Sequence, residues 1–148
     1  MNRVDAIKVI AAARGNAVVV TGPGSNSGLM FAHADAPATI YNMDMAYASP
    51  IALGIALAQP RRRVLAIEGD GSFYAGSTVL STIWRSRPKN LFVLILDNNI
   101  WSTGDGREPT ATAFGADLAA LARPNRWRTY SGTVWRRHSK RKARTSSS

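Results

Sequence analysis

Two stretches decide the reading: Val64-Leu65-Ala66-Ile67-Glu68-Gly69-Asp70-Gly71-Ser72, and further on Leu91-Phe92-Val93-Leu94-Ile95-Leu96-Asp97-Asn98-Asn99. Each is a short apolar run that stops abruptly at small or polar residues, as a buried strand does when it enters a loop. The 26 residues from Ser72 to Asp97 suffice for one helix and one strand. Two strands joined in this way are parallel, and their carboxyl ends lie on one edge of the sheet. Asp70 and Asn98 are therefore expected to face a common crevice from neighbouring strands, where ligands of open α/β sheets bind.

The rest of the chain supports that frame. Val4, Ile7, Ile10 and Ala11 recur at helical spacing over about residues 4–13, a pattern that suits a helix better than a secretion signal. Ala17-Val18-Val19-Val20 predicts a buried strand running into the loop Thr21-Gly22-Pro23-Gly24-Ser25. A helix is expected over about 27–34 and a short strand at 39–41. Ser49-Pro50 then opens a small-residue helix, with Ser49 as N-cap and Ala and Gly54 allowing close packing on a sheet. A further helix is expected over about 76–85. Strands alternating with helices predict an α/β fold with a doubly wound parallel sheet.

Composition separates a body from a tail. Residues 1–122 hold ten Lys/Arg and all nine acids, a net charge of only +1. Residues 123–148 carry the other nine basic groups, no acid and no apolar period, and are expected to be a disordered tail. The overall +10 therefore gives no reason to expect specific nucleic-acid binding by the body. Trp127, Tyr130 and Trp135 among arginines keep nucleic-acid binding through the tail as the last-ranked alternative. No run approaches the roughly 18 apolar residues that span a bilayer. The absence of cysteine excludes disulfides and thiolate-bound metal, and it fits a cytoplasmic location.

The two loops suit Mg2+ holding a diphosphate. Gly69 and Gly71 let the backbone turn and let a bulky anion approach, and the amides of Gly71 and Ser72 open a helix towards phosphate oxygens. Asp70 offers a hard carboxylate and Asn98 an amide oxygen, as Mg2+ prefers. Zinc is unsuited, because the usual imidazole and thiolate set is missing. Blander readings stand beside this one. Asp70 alone would serve as a helix cap, Asn98-Asn99 as a turn, Met45 as core and Gly22-Pro23-Gly24-Ser25 as an ordinary loop. His33 and Arg61-Arg62-Arg63 read as solvated surface and His138 as tail, while Trp101 reads as core or pocket wall.

Gly69-Asp70-Gly71-Ser72 followed by Asp97-Asn98-Asn99 resembles the signature of thiamine diphosphate-dependent enzymes. Residues 45–56, Pro88-Lys89-Asn90-Leu91 and Ser102-Thr103-Gly104 make the likeness greatest to the small subunit of sulfopyruvate decarboxylase and the matching half of phosphonopyruvate decarboxylase. The likeness covers about residues 1–122, read as the diphosphate- and Mg2+-binding domain. The family's last helices and strand are not recognisable after Ala122, as in a truncated or replaced C-terminus.

The resemblance implies thiamine diphosphate and Mg2+ as cofactors, with Asp70, the Asn98 side chain and the Ile100 carbonyl as metal ligands. It places the diphosphate on Gly69, Gly71 and Ser72, helped by the loop from Gly22 to Ser25. It makes Met45 the prop under the bent cofactor and the Met43 carbonyl the acceptor for the aminopyrimidine. It also implies decarboxylation of a small 2-oxo acid. No catalytic residue is expected in this chain, because the activating glutamate belongs to a pyrimidine-binding subunit. The alternative is a degenerate, non-catalytic subunit of the same fold.

Overall fold

The computed structural model describes residues 2–101 and 108–122. The segment Ser102-Thr103-Gly104, the tail 123–148 and His138 lie outside the described residues.

Four parallel strands, β1 (Val18–Thr21), β2 (Thr39–Ile40), β3 (Val64–Gly69) and β4 (Leu91–Leu96), form one sheet in the order β2-β1-β3-β4. Helices α1 (Arg3–Arg14) and α2 (Ser25–Ala34) lie on one face. On the other lie α3 (Ala48–Ala58) and, after the short α4 (Asp70–Ala75), α5 (Val79–Ser86). Successive strand residues face opposite ways. Val18, Val20, Val64 and Ala66 pack with α3 and α5, while Val19 and Ile67 pack with Ile7, Ile10 and Met30 of α1 and α2. Because both faces are covered, β1 and β3 read as continuous apolar runs with no alternation. A 3-10 turn (Ala111–Phe114) and α6 (Leu118–Ala122) complete the described chain. None of its helices is long and apolar enough to cross a membrane.

Several local expectations are corrected. The helix expected over 76–85 begins only at Val79, and an unexpected short helix precedes it, because the chain turns helical at Asp70 itself and breaks at Gly76. A Cβ at Gly76 would sit 2.7 Å from the Ala46 carbonyl oxygen, so the break fits a close backbone crossing. In α3 the N-cap is Tyr47, not Ser49, and Ser49 uses both its amide and its hydroxyl elsewhere. Close packing on the sheet comes from Ala48, Ala52 and Ala56, spaced four apart and buried, whereas Gly54 is exposed with open space about it. The arginines before β3 are not simply solvated. Arg62 Nε donates to the Asn16 carbonyl (2.8 Å) and Arg63 to that of Arg14 (3.2 Å), placing positive charge at the C-terminus of α1.

Asn90 ties the outer parts together. Its Nδ2 lies 3.0, 3.0 and 2.8 Å from the carbonyl oxygens of Ala56, Gln59 and Arg62, while its own carbonyl accepts from Val64 N (2.9 Å). One side chain thus fixes the end of α3 and the entry into β3 and β4. Asn90→Ala is expected to cost about 1–3 kcal/mol by leaving those carbonyls short of a donor. A urea midpoint lowered at unchanged m-value checks it.

Candidate functional site

The chain leaves β1 towards β2 on one side and leaves β3 towards β4 on the other. Between the ends of β1 and β3 the strand order reverses, and a crevice opens there. Its walls include Gly24 and Ser25 after β1, Gly69 to Ser72 after β3, and Asn98 and Ile100 after β4. The crevice thus brings together Ser25, Met45, Gly69, Asp70, Gly71, Ser72, Asn98 and Ile100 of the expected site. Gly22 is not among the lining residues: its amide donates to the Ile67 carbonyl (2.8 Å), and a Cβ there would lie 3.1 Å from Glu68 Oε2. Met43 also lies outside the lining, and its side chain packs against the core on the α3 face.

Asp70 is buried, yet it does not cap a helix. The N-cap of α4 is Gly69, and no side chain bonds back to the helix start. Instead Asp70 Oδ2 accepts from Thr110 Oγ1 and lies 3.0 Å from Thr112 Oγ1. Thr112 also lies 2.9 Å from Asp97 Oδ1 and receives a bond from Asn99 Nδ2 (2.9 Å). Its single proton can serve only one of the two carboxylates. Partial burial, with the Asp70 charge adding to it, holds the Asp97 carboxyl above the ordinary carboxylate range. Thr110 and Thr112 escaped the sequence reading because a Thr-x-Thr in a polar loop carries no signal of its own. Only the fold carries that loop back to β3.

These contacts leave Asp70 Oδ1 facing Asn98 and Ile100. The terminal atoms of the Asn98 amide include one that lies 3.1 Å from Asp70 Oδ1 and 2.9 Å from the Ile100 carbonyl oxygen. With nitrogen inward the amide donates to both. With oxygen inward, it faces two acceptor oxygens, a repulsion that a bound cation would relieve.

A second network lies beneath. Glu68, 1% exposed, accepts from the amide and hydroxyl of Ser49 (both 2.9 Å) and from Ser72 Oγ. Ser72 Oγ in turn accepts the Ala46 amide (3.1 Å). The Ser72 hydroxyl is therefore committed to the protein, and its backbone amide is what remains for an anion. Ala46 holds φ 76°, a left-handed conformation costly for any residue but glycine, so Met45 is presented on a strained corner. Trp101 is a pocket wall: a Cβ on Gly71 would lie 2.5 Å from its ring. His33 is exposed, as expected.

Residues 22–125 match the family described as thiamine pyrophosphate enzyme, C-terminal TPP binding domain. Sulfopyruvate decarboxylase subunit beta of Methanothermobacter thermautotrophicus is 34% identical over 82% of this chain and 65% of that protein. Phosphonopyruvate decarboxylase of Streptomyces viridochromogenes is 32% identical over 72% of this chain and 26% of that enzyme. The chain thus spans under two thirds of the curated relatives it matches. The thiamine diphosphate-dependent 4-hydroxybenzoylformate decarboxylase of Rhodococcus jostii shares the fold, with TM-score 0.68 over 84% of this chain and 26% of that one, at 21% identity.

Gly71→Ala is expected to destabilise by about 1–3 kcal/mol, as overpacking does, by pushing the Trp101 ring out of the wall. In the Trp101→Ala background most of that cost should vanish. A double-mutant cycle by chemical denaturation measures the coupling.

Proposed function

This chain belongs to the thiamine pyrophosphate enzyme family, in its C-terminal TPP-binding domain, and we propose that it supplies the diphosphate- and Mg2+-binding half of a 2-oxo acid decarboxylase. The observation that carries the metal assignment is the convergence of Asp70 Oδ1, the Asn98 amide and the Ile100 carbonyl at 2.9–3.1 Å. Adjacent oxygens of an octahedral shell with bonds of 2.0–2.1 Å lie about 2.9 Å apart. The Asn98 atom thus stands from each of the other two at the spacing of adjacent ligands in such a shell, and all three groups offer hard oxygen donors of the kind Mg2+ takes. With its nitrogen inward instead, Asn98 closes the ring by two hydrogen bonds, which gives the site a stable arrangement without metal.

Each remaining residue has a physical task in this reading. Thr110 and Thr112 hold one carboxylate oxygen of Asp70 so that the other faces the crevice. The amides of Gly71 and Ser72, in the first turn of α4, meet phosphate oxygens with partial positive charge. Met45 is a half-buried apolar contact on the crevice wall, suited to support a bent cofactor, and the Met43 carbonyl is assigned to the aminopyrimidine. Trp101 screens the diphosphate end from water. When bound, thiamine diphosphate supplies an electron sink for the carbanion left by loss of CO2.

The carboxylates near the crevice are already engaged. Glu68 is held by Ser49 and Ser72, Asp70 by the threonines, and Asp97 by Thr112 and the Asn99 amide (3.0 Å). The acid that activates the pyrimidine is assigned to a pyrimidine-binding subunit, as the family resemblance implies. The name of the methanogen relatives, subunit beta, supports a divided enzyme. The likeness to sulfopyruvate and phosphonopyruvate decarboxylases supports a small 2-oxo acid as substrate.

Thiamine diphosphate should bind only with Mg2+ present, and Asp70→Ala should abolish that dependence together with most of the affinity. Thr110→Val removes the hydroxyl held against Asp70 and touches none of the three oxygens, so it should weaken binding about 10–100-fold. Titration calorimetry reads both, and an unchanged affinity in Asp70→Ala would overturn the metal assignment. The isolated chain should release no CO2 from sulfopyruvate, phosphonopyruvate or benzoylformate, and should do so once its pyrimidine-domain partner is added. Turnover by the chain alone would refute the divided site. Silence with the authentic partner would favour the non-catalytic subunit.

A further inference from the structure

Glu68 has no part in holding metal or diphosphate, yet the sheet keeps it. It sits in β3 just before Gly69, is 1% exposed and does not line the crevice. An apolar residue of its size would fill the same space without the cost of stripping water from a carboxylate.

Its partners show what it holds. Oε1 accepts the amide and the hydroxyl of Ser49 (both 2.9 Å), in the first turn of α3. Oε2 accepts the Ser72 hydroxyl. With its one proton committed to Glu68, Ser72 Oγ can only accept at Ala46, and it does so from the amide (3.1 Å). Ala46 and Ser49, the two ends of the turn between Met45 and α3, thus answer to a single carboxylate.

The chain would not keep that turn unaided. Ala46 lies at φ 76°, a conformation that favours glycine, and its carbonyl oxygen abuts Gly76, where a Cβ would come within 2.7 Å. Pinned at its amide and confined at its carbonyl, Ala46 fixes the direction in which Met45 reaches the crevice wall. The arrangement calls for a carboxylate, which accepts from all three donors. An amide in its place would turn its NH2 group towards Ser49 or Ser72 and leave one of their protons without an acceptor.

We propose that Glu68 is a positioning residue for the cofactor: acting through Ser72 and Ala46, it sets Met45 against the thiamine rings and leaves the diphosphate to the crevice loops. This rests on the reading of Met45 as support for the bent cofactor. The Ser72 amide is placed by the backbone of α4 and does not depend on where the hydroxyl proton goes. Affinity for the rings and affinity for the diphosphate therefore belong to different side chains.

Calorimetric titration of the full-length chain with Mg2+ and, separately, thiamine diphosphate and inorganic pyrophosphate reads the two apart. Glu68→Gln should weaken thiamine diphosphate about 5–100-fold, the range for a buried donor left without an acceptor, and leave pyrophosphate within about twofold. In the Met45→Ala background the same substitution should cost thiamine diphosphate nothing further, because it acts through Met45. Where Glu68→Gln does not fold, Ser49→Ala replaces it: one of the three donors is gone, and a loss of about 2–10-fold is expected for thiamine diphosphate alone. Wild-type affinity in the variant that folds overturns the positioning role while the metal reading stands. Equal losses for the two ligands overturn it too, since they report general damage around β3, and so does a loss that persists in full beside Met45→Ala. Pyrophosphate bound by the wild-type chain as tightly as thiamine diphosphate overturns the Met45 support and this proposal with it. Failure of the wild-type chain to bind either ligand overturns the diphosphate reading as well.

Discussion

The register of β3 between its two neighbours governs everything at the crevice. Thr21 pairs with Ile67, and Gly69 pairs with Leu96, all strands running the same way. That pairing brings the loops after β1, β3 and β4 to one edge, where Gly22, Asp70 and Asn98 each stand within a residue or two of a strand end. A slip of one residue in β3 would turn Ile67 from the α1–α2 face to the α3 face and Glu68 the other way. It would also bury a carboxylate where Ile67 now packs among Ile7, Ile10 and Met30. The hydrophobic core therefore enforces the register, and the register builds the site.

Burying Glu68 in such a place carries a penalty that its hydrogen bonds offset. Desolvation of an unpaired carboxylate is prohibitive, yet here three donors from two different elements converge on it. The result couples the start of α3 to the start of α4, because Ser49 and Ser72 answer to one side chain. Ala46, whose amide meets Ser72 and whose carbonyl overlies Gly76, is drawn into the same arrangement. The strained corner that carries Met45 is thus held from below by a polar cluster while its apolar side faces the crevice.

The distribution of charge around the crevice follows a simple division. Carboxylates Asp70 and Asp97 lie on the β3–β4 side, bridged by threonine hydroxyls. Arg3 and the amides of α2 lie on the β1 side. A ligand that is anionic and brings its own divalent cation satisfies both halves at once. A bare anion would meet the carboxylates, and a bare cation would meet the arginine. That complementarity is a property of the folded body, whose net charge of +1 over residues 1–122 gives no hint of it.

The sequence by itself determined the sheet type, most of the elements and the identity of the facing loops. Continuous apolar runs at 64–67 and 91–96, with helix-length separation, have few other solutions. Gly69-Asp70-Gly71-Ser72 and Asp97-Asn98-Asn99 carried the resemblance to the family because glycine freedom and metal-ligand chemistry are written in residue type. What only the tertiary structure decided is which side chains support those ligands and from where. Thr110 and Thr112 reach Asp70 across some forty residues, and Arg3 reaches Ser25 across 22. Ser49 looked like a helix cap because capping is a local habit of serine, yet a buried Glu68 outbids the helix for it. Local rules read hydrogen bonds between near neighbours. Long-range partners depend on which surfaces the core brings into contact, and that is settled only when the chain has folded.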